Sequence, residues 1–423
     1  MGTYSRAVGK VRYNNDLTDG TGLASSTPGA LLGLIRSGQA NTRAGLVAVT
    51  GLARSTVAHR IDALISEGLL YEAGELASSG GRPPTMLAVN PRAGVVLVAD
   101  LGATHSRLAL MDLEASVLAE LAEELDIALG PHRVVGWMLG RFDELLAAAG
   151  RSANDVRAVG IGVPGPVEFA AGRTVAPPIM PGWEGVDIPE LVAERFAVPV
   201  LVDNDVNIMA LGEYWSDWRG VHEDLLFVKV GTGIGSGIVV DGRIHHGAQG
   251  TAGDIGHIRL AGHYGVVCRC GNHGCAEAVA GGAALARQLT ELGHPAANSR
   301  DVVRLVKAGN PTAVGLVREA GRLLGELLAG IVNFFNPPLI IIGGDVALAN
   351  EQLLAGVREV VYQRSTTLAT RDLAIRPSRL EDRAGITGAA VMAIEHVLAP
   401  DIVNRIIERR AEQRKPSAPV AAL

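Results

Sequence analysis

Three cysteines and a histidine carry the most specific chemistry in the sequence. Cys268, Cys270 and Cys275 are the only cysteines among 423 residues, and they fall within eight positions, as Cys268-x-Cys270-Gly271-Asn272-His273-Gly274-Cys275. His257 precedes the first of them by eleven residues. A tight, odd-numbered thiol cluster reads as metal ligation rather than disulfide pairing. Three thiolates and one imidazole make a closed tetrahedral set that suits Zn²⁺ in a structural role. Gly271 and Gly274 let the loop fold tightly enough for the sulfurs to converge, and His273 is the alternative fourth ligand.

A second group could bind and activate hydroxyls. Asp203-Asn204-Asp205 closes an apolar run, and carboxylates at such a place are either helix caps or cleft residues. In the cleft, Asn204 would hydrogen-bond a polyhydroxylated ligand and Asp205 could serve as general base. Asp254, His257 and Glu277 flank the cysteine loop, suited to sugar hydroxyls or to support of the metal. Three glycine turns end apolar runs: Asp100-Leu101-Gly102-Ala103-Thr104, Gly231-Thr232-Gly233 and Gly343-Gly344. Together they could line one cleft and offer backbone N–H groups to phosphate; none continues as a Walker loop.

The third group is polar and basic. Arg54, Ser55, Thr56, His59 and Arg60 lie off the apolar face of one helix, with Thr42 at the start of the helix before it and Arg82 in a following turn. Such residues suit phosphates and base edges, or simply a solvated helix face.

These side chains need elements to hold them. Thr27-Pro28 starts a helix that Gly38 ends, Thr42 starts another that Gly51 breaks, and a third runs from about Ala53 to Glu67. In it Val57, Ile61, Leu64 and Ile65 form one buried face. Two short β-like stretches, 69–72 and 85–89, enclose a turn rich in Gly and Pro. Helix, helix, helix, hairpin is the order of a winged helix-turn-helix. From Gly94 onward, apolar strands ending in Gly, Asp or Asn alternate with helices over 134–149, 188–196, 207–215, 283–292, 312–335 and 350–361, which predicts α/β layers with ligands at strand ends.

Composition sets the bounds. With 48% hydrophobic and 19% charged residues the chain is not disordered throughout. The net charge of −6 excludes a polycation, although residues 1–90 hold eight Lys/Arg against six Asp/Glu, a sign that suits nucleic acid. There is no long apolar run and no secretory leader, so the expected location is the cytoplasm, away from membranes.

Taken together, residues 28–398 resemble the ROK family, and within it the sugar-responsive regulators of the N-acetylglucosamine- and xylose-repressor type. The resemblance is carried by Gly256-His257-Ile258 with Cys268 to Cys275 and Glu277, by Asn204-Asp205 with Ala210-Leu211-Gly212-Glu213, and by Asp100-Leu101-Gly102-Ala103-Thr104. Gly162-Val163-Pro164-Gly165 and Asn336-Pro337 also fit. It implies an actin-like, two-lobed sugar-kinase (ribonuclease H-like) body. It implies Zn²⁺ on His257, Cys268, Cys270 and Cys275, and sugar contacts from Asn204, Asp205, Asp254, His257 and Glu277. In kinase members the counterpart of Asp205 is the catalytic base, and the turns at Asp100, Gly102, Thr104, Gly231, Thr232, Gly233, Gly343 and Gly344 would hold ATP with Mg²⁺. Two departures are specific: Asp254 stands where the family usually has Glu, and Ala103 replaces the second Gly of the kinase turn.

The expected organisation is an arm (1–25), a winged helix-turn-helix (26–90), a first lobe (94–202), a second lobe with the zinc loop (203–383), C-terminal helices returning to the first lobe (384–411) and a disordered tail (412–423). The expected function is a DNA-binding repressor, acting as a homodimer or homotetramer, whose kinase-like body binds a sugar-derived effector. The alternative is an ATP-dependent hexose kinase with a DNA-binding head.

Overall fold

Capping and apolar spacing build the N-terminal part. The computed structural model describes residues 26–75, 84–349 and 351–413. Helix α1 (Pro28–Arg36) starts where Thr27 Oγ1 accepts the Ala30 N–H, 3.2 Å away. Helix α2 (Arg43–Thr50) starts where Thr42 Oγ1 accepts the Gly45 N–H, 3.0 Å away, and stops at Gly51, whose φ of 68° is left-handed. Helix α3 (Arg54–Ser66) has no side-chain cap, because Ala53 offers none. It buries Val57, Ile61 and Leu64. Strands β1 (Leu70–Glu75) and β2 (Thr85–Val89) pair antiparallel, Leu70 opposite Val89. Leu31, Leu32, Leu46 and Leu87 complete this core. The turn holding Arg82 lies outside the described residues.

The remainder is organised by two five-stranded mixed sheets. The first has the order β5-β4-β3-β6-β9. It comprises β3 (Val95–Leu101), β4 (His105–Asp112), β5 (Val117–Glu124), β6 (Val156–Val163) and β9 (Val200–Asn204), with α4 (Pro131–Ala148), the small pair β7 (Val167–Glu168) and β8 (Arg173–Thr174), and α5 (Ile188–Ala193) between them. The second has the order β12-β11-β10-β13-β14. After α6 (Asp205–Glu213) come β10 (Leu225–Val230), β11 (Ile234–Val240) and β12 (Arg243–Ile244), then α7 (Ala276–Ala280), α8 (Gly282–Glu291), α9 (Ser299–Lys307) and α10 (Pro311–Phe335). The chain continues through β13 (Leu339–Gly343), α11 (Glu351–Arg364), α12 (Thr367–Thr370), β14 (Ala374–Pro377), α13 (Ala384–Val397) and α14 (Pro400–Gln413).

Central parallel strands are covered on both faces, so they read as unbroken apolar runs. All five residues of β13 are buried. Along α10, Val317, Leu324, Leu328 and Val332 form the buried stripe that packs on this sheet. Helix α9, Ser-Arg-Asp-Val-Val-Arg-Leu-Val-Lys, went unread in the sequence, although Val302, Leu305 and Val306 recur at helical spacing and Asn298 caps it. Helix α6 begins at Asp205, two residues before the expected start, since Asn204 is its cap.

The chain divides into two compact units, one of 1–96, 112–116 and 393–423, the other of 97–111 and 117–392. The first therefore includes the last helix. Of the C-terminal helices at 384–411, expected to return to the first lobe, α13 lies against Asp100 and Gly160 through Gly385 and Ala389, while α14 packs on α1: the Gly29 N–H donates to Asn404 Oδ1 at 2.8 Å. A methyl on Gly29 would stand 2.2 Å from the Pro400 carbonyl oxygen, so only glycine permits this approach. Arg36 pairs with Glu395 at 2.6 Å, and Arg410 with Glu67 at 2.9 Å. The expected arm lies outside the described residues, as does the expected tail apart from Glu412 and Gln413, which belong to α14.

Candidate functional site

The cysteine loop is closed by tight turns. Gly271 and Gly274 have φ of 87° and 74°, which glycine adopts without strain. His257, Cys268, Cys270 and Cys275 each present one ligand atom, and all four lie within 4.8 Å of one another. His257 Nδ1 is 3.7 Å from Cys268 Sγ. His273, the alternative ligand, is exposed and outside the group. Three sulfurs and one nitrogen fit a tetrahedral cation of the zinc type. Burial pushes the Cys268 thiol up to about 12, so cation binding there is coupled to loss of a proton.

A cavity of about 600 Å³ opens at the carboxyl ends of the strands, a size suited to a small ligand. Asp100, Gly102, Asn204, Asp205, Asp254, His257 and Glu277 all line it. So do Gly231, Thr232, Gly233, Gly343 and Gly344. Thr104 does not: it is exposed, and its carbonyl accepts the Leu125 N–H. One glycine is required by close approach: a methyl on Gly344, at φ 88°, would stand 2.7 Å from the Val230 carbonyl oxygen. The Glu277 carboxylate lies beside Gly233, where a methyl would stand 2.3 Å from Oε2, and its Oε1 is 3.6 Å from Cys268 Sγ, so one side chain lies beside both the glycine turn and the cysteine loop.

Asn204 combines both readings of the sequence. Its Oδ1 accepts the Val206 N–H as the α6 cap, its Nδ2 donates to the Gly165 carbonyl at 3.0 Å, and it still lines the cavity. Asp205 is held by a residue that sequence reasoning missed. Lys229 Nζ donates to Asp205 Oδ2 at 2.5 Å. Burial works against the lysine's charge, but the carboxylates of Asp205, Asp100 and Asp345 outweigh it and hold its pKa above the ordinary value. Burial pushes Asp100 up to about 7; Lys229 and Arg107 oppose the rise and Asp205 adds to it.

Two further carboxylates were unassigned. Asp203 Oδ2 meets His246 Nε2 at 2.7 Å, while its Oδ1 accepts from the Asn204 N–H and Asn207 Nδ2. His246 in turn stacks on Phe169, ring centres 4.4 Å apart. This pins the loop around 246 beside Asn204. Glu213 Oε1 accepts the N–H groups of Arg379 and Leu380, both at 2.9 Å, and the Ser378 hydroxyl. Burial raises the Glu213 pKa against these hydrogen bonds. Only a buried acid at a strand or helix end could have signalled either role.

On α3, Arg54, Ser55 and His59 are exposed and Thr56 is half-buried. Arg60 is half-buried, with one guanidinium nitrogen enclosed and unpartnered, so it is less available than expected. Thr42 is engaged in capping α2.

Residues 96–396 match the ROK family. The chain belongs to that family. Among its members, a putative xylose repressor of a Caldicellulosiruptor species is 32% identical over 376 residues, covering 86% of this chain and 94% of the relative. A glucokinase of Halalkalibacterium halodurans is 29% identical over 303 residues, covering 68% of this chain and 92% of the enzyme. The crystal structure of a ROK transcriptional regulator, a homologue of the E. coli MLC protein, superposes with a TM-score of 0.76 at 26% identity, covering 92% of this chain and all of that one. The matches to the regulators are longer than the 96–396 body alone, whereas the match to the kinase is about the length of that body.

Proposed function

We propose that this chain is a sugar-responsive, DNA-binding transcriptional regulator, most simply a repressor. The observation that carries the reading is the coexistence of the α1–α3 and β1–β2 head with a cavity lined by Asn204, Asp205, Asp254, His257 and Glu277, over a span that similar repressors share. The head acts as a winged helix-turn-helix, with α3 in the major groove. Arg54, Ser55, Thr56 and His59 meet bases and phosphates, with Arg82 as a wing contact. The effector is a sugar or sugar derivative held by Asn204, Asp205, Asp254, His257 and Glu277. Zn²⁺ on His257, Cys268, Cys270 and Cys275 supplies structural order to the loop that carries two of those contacts. The protein works in the cytoplasm as a homodimer or homotetramer, so that two α3 helices meet half-sites about one helical turn apart.

The kinase alternative would place ATP and Mg²⁺ against the glycine turns, with Asp205 as base. The ion pair of Asp205 with Lys229 argues against it.

The deciding experiment is fluorescence anisotropy of the full-length protein on duplexes it selects from a random pool. A panel of aldoses, N-acetylhexosamines and their phosphates is then added. Site-specific, salt-sensitive binding that one sugar changes by about 5–150-fold is expected. Absence of specific DNA binding with and without every sugar would overturn the reading.

A further inference from the structure

Transfer of a phosphoryl group to a hydroxyl needs a divalent cation, held near carboxylates, to neutralise charge where base and phosphate meet. In this cavity a side chain stands at that junction. Lys229 is the last but one residue of β10, in register with Gly343 of the neighbouring β13. Its Nζ lies 2.5 Å from Asp205 Oδ2. The Asp205 side chain is 5% exposed, whereas that of Lys229 is 25% exposed and lines the cavity. The lysine stem runs along the glycine turn, since a methyl on Gly231 would stand 3.4 Å from Lys229 Cε. Asp100, at the end of β3, and Asp345, just beyond β13, are the other carboxylates whose charge acts on it.

We propose that Lys229 is a resident cation that takes the place of the divalent metal among Asp205, Asp100 and Asp345, and so makes the cavity a receptor that rejects metal–nucleotide complexes. The reasons are steric and electrostatic. Mg²⁺ takes oxygen ligands at about 2.0–2.1 Å in near-octahedral geometry. An ammonium already on Asp205 Oδ2 occupies that approach, and its charge repels a second cation. Asp205 offers Oδ2 to Lys229 and keeps Oδ1 for a ligand hydroxyl, so a hydroxyl can be held there without a metal. A lysine that stays charged despite its burial is what this role needs. The inference rests on the cavity being the effector site of the proposed regulator, but not on DNA binding.

The test uses the full-length, zinc-replete protein and Mn²⁺ as probe, alone and with ATP, followed by electron paramagnetic resonance. The wild type is expected to leave both Mn²⁺ and Mn²⁺–ATP free. Lys229→Ala should gain Mn²⁺ affinity by at least about tenfold, as expected when freed carboxylates can bind a hard cation, and a Lys229→Ala/Asp205→Asn double variant should lose the gain. Lys229→Gln, close in length but neutral, is the second variant should the alanine form fail to fold, and it too should gain Mn²⁺. Wild-type binding of Mn²⁺–ATP that Asp205→Asn abolishes would overturn the proposal. So would folded neutral variants that gain no Mn²⁺. A wild type that ignores Mn²⁺–ATP yet fails to bind DNA would leave Lys229 in its role and sink the regulator reading alone.

Discussion

Asp254 Oδ1 lies 3.9 Å from His257 Nε2, on the ring edge opposite the nitrogen that faces Cys268. One imidazole thus joins the sulfur cluster to a carboxylate that lines the cavity. A carboxylate bonded to a ligating histidine typically contributes about 10–100-fold in metal affinity, but at 3.9 Å Asp254 is beyond hydrogen-bond reach of the ring. Asp254→Ala is therefore expected to weaken zinc retention by only about two- to fivefold, and effector binding with it. Competition with a chromogenic chelator measures the first and calorimetry the second. Unchanged zinc affinity would remove the link.

Chelation should act locally before it acts globally. Stripping the ion is expected to raise amide exchange across 257–277 and to abolish the effector's influence on DNA, while the sheets keep their protection. Cys275→Ser, at a fully buried ligand position, should do the same. A metal-free protein that still answers to sugar would contradict the proposed role of the loop.

Asp100 gives a pH signature. Its carboxyl is pushed up to about 7 by burial, so the folded chain holds a proton that the unfolded chain releases near the ordinary carboxylate value. That contribution is complete below about pH 4 and is lost as pH rises through about 7. Asp100→Asn should therefore raise Tm relative to wild type at about pH 8; the gap should narrow as pH falls and close only below about pH 4. A difference independent of pH would show that Asp100 is ionised throughout.

The head offers a contrast between packing and contact. Leu64→Ala, in the fully buried face of α3, should cost about 2–5 kcal/mol and abolish DNA binding through unfolding. Arg54→Ala, on the exposed face, should leave the melt unchanged, weaken DNA binding and lower the salt slope by about one. Circular dichroism and anisotropy at several salt concentrations separate the two. An Arg54→Ala protein with wild-type affinity would take α3 out of the groove.

What the sequence could reveal follows from how each feature is encoded. Local spacing encodes α3, the β13 run and the candidate metal group, because Val57, Ile61 and Leu64, Leu339 to Gly343, and Cys268 to Cys275 carry their meaning within a few residues. Lys229 was opaque: a lone lysine in Leu-Leu-Phe-Val-Lys-Val reads as a strand position, and its partner lies 24 residues earlier, at the start of α6. The same holds for His246 with Asp203, 43 residues apart, and for α14 on α1. Thr104 failed in the other direction, since its motif suggested a cavity residue and the hairpin turns it out to solvent.

The grip of α14 on α1 has a consequence for how the protein is made. Asn404 of α14 holds Gly29, 375 positions earlier in the chain, while Glu395, which pairs with Arg36 359 positions earlier, belongs to α13. A polypeptide still emerging from the ribosome has α1 to α3 but lacks the brace on Gly29 until residue 404 has followed. A chain cut just before Pro400 would hold every residue that lines the cavity and still leave α1 without that anchor.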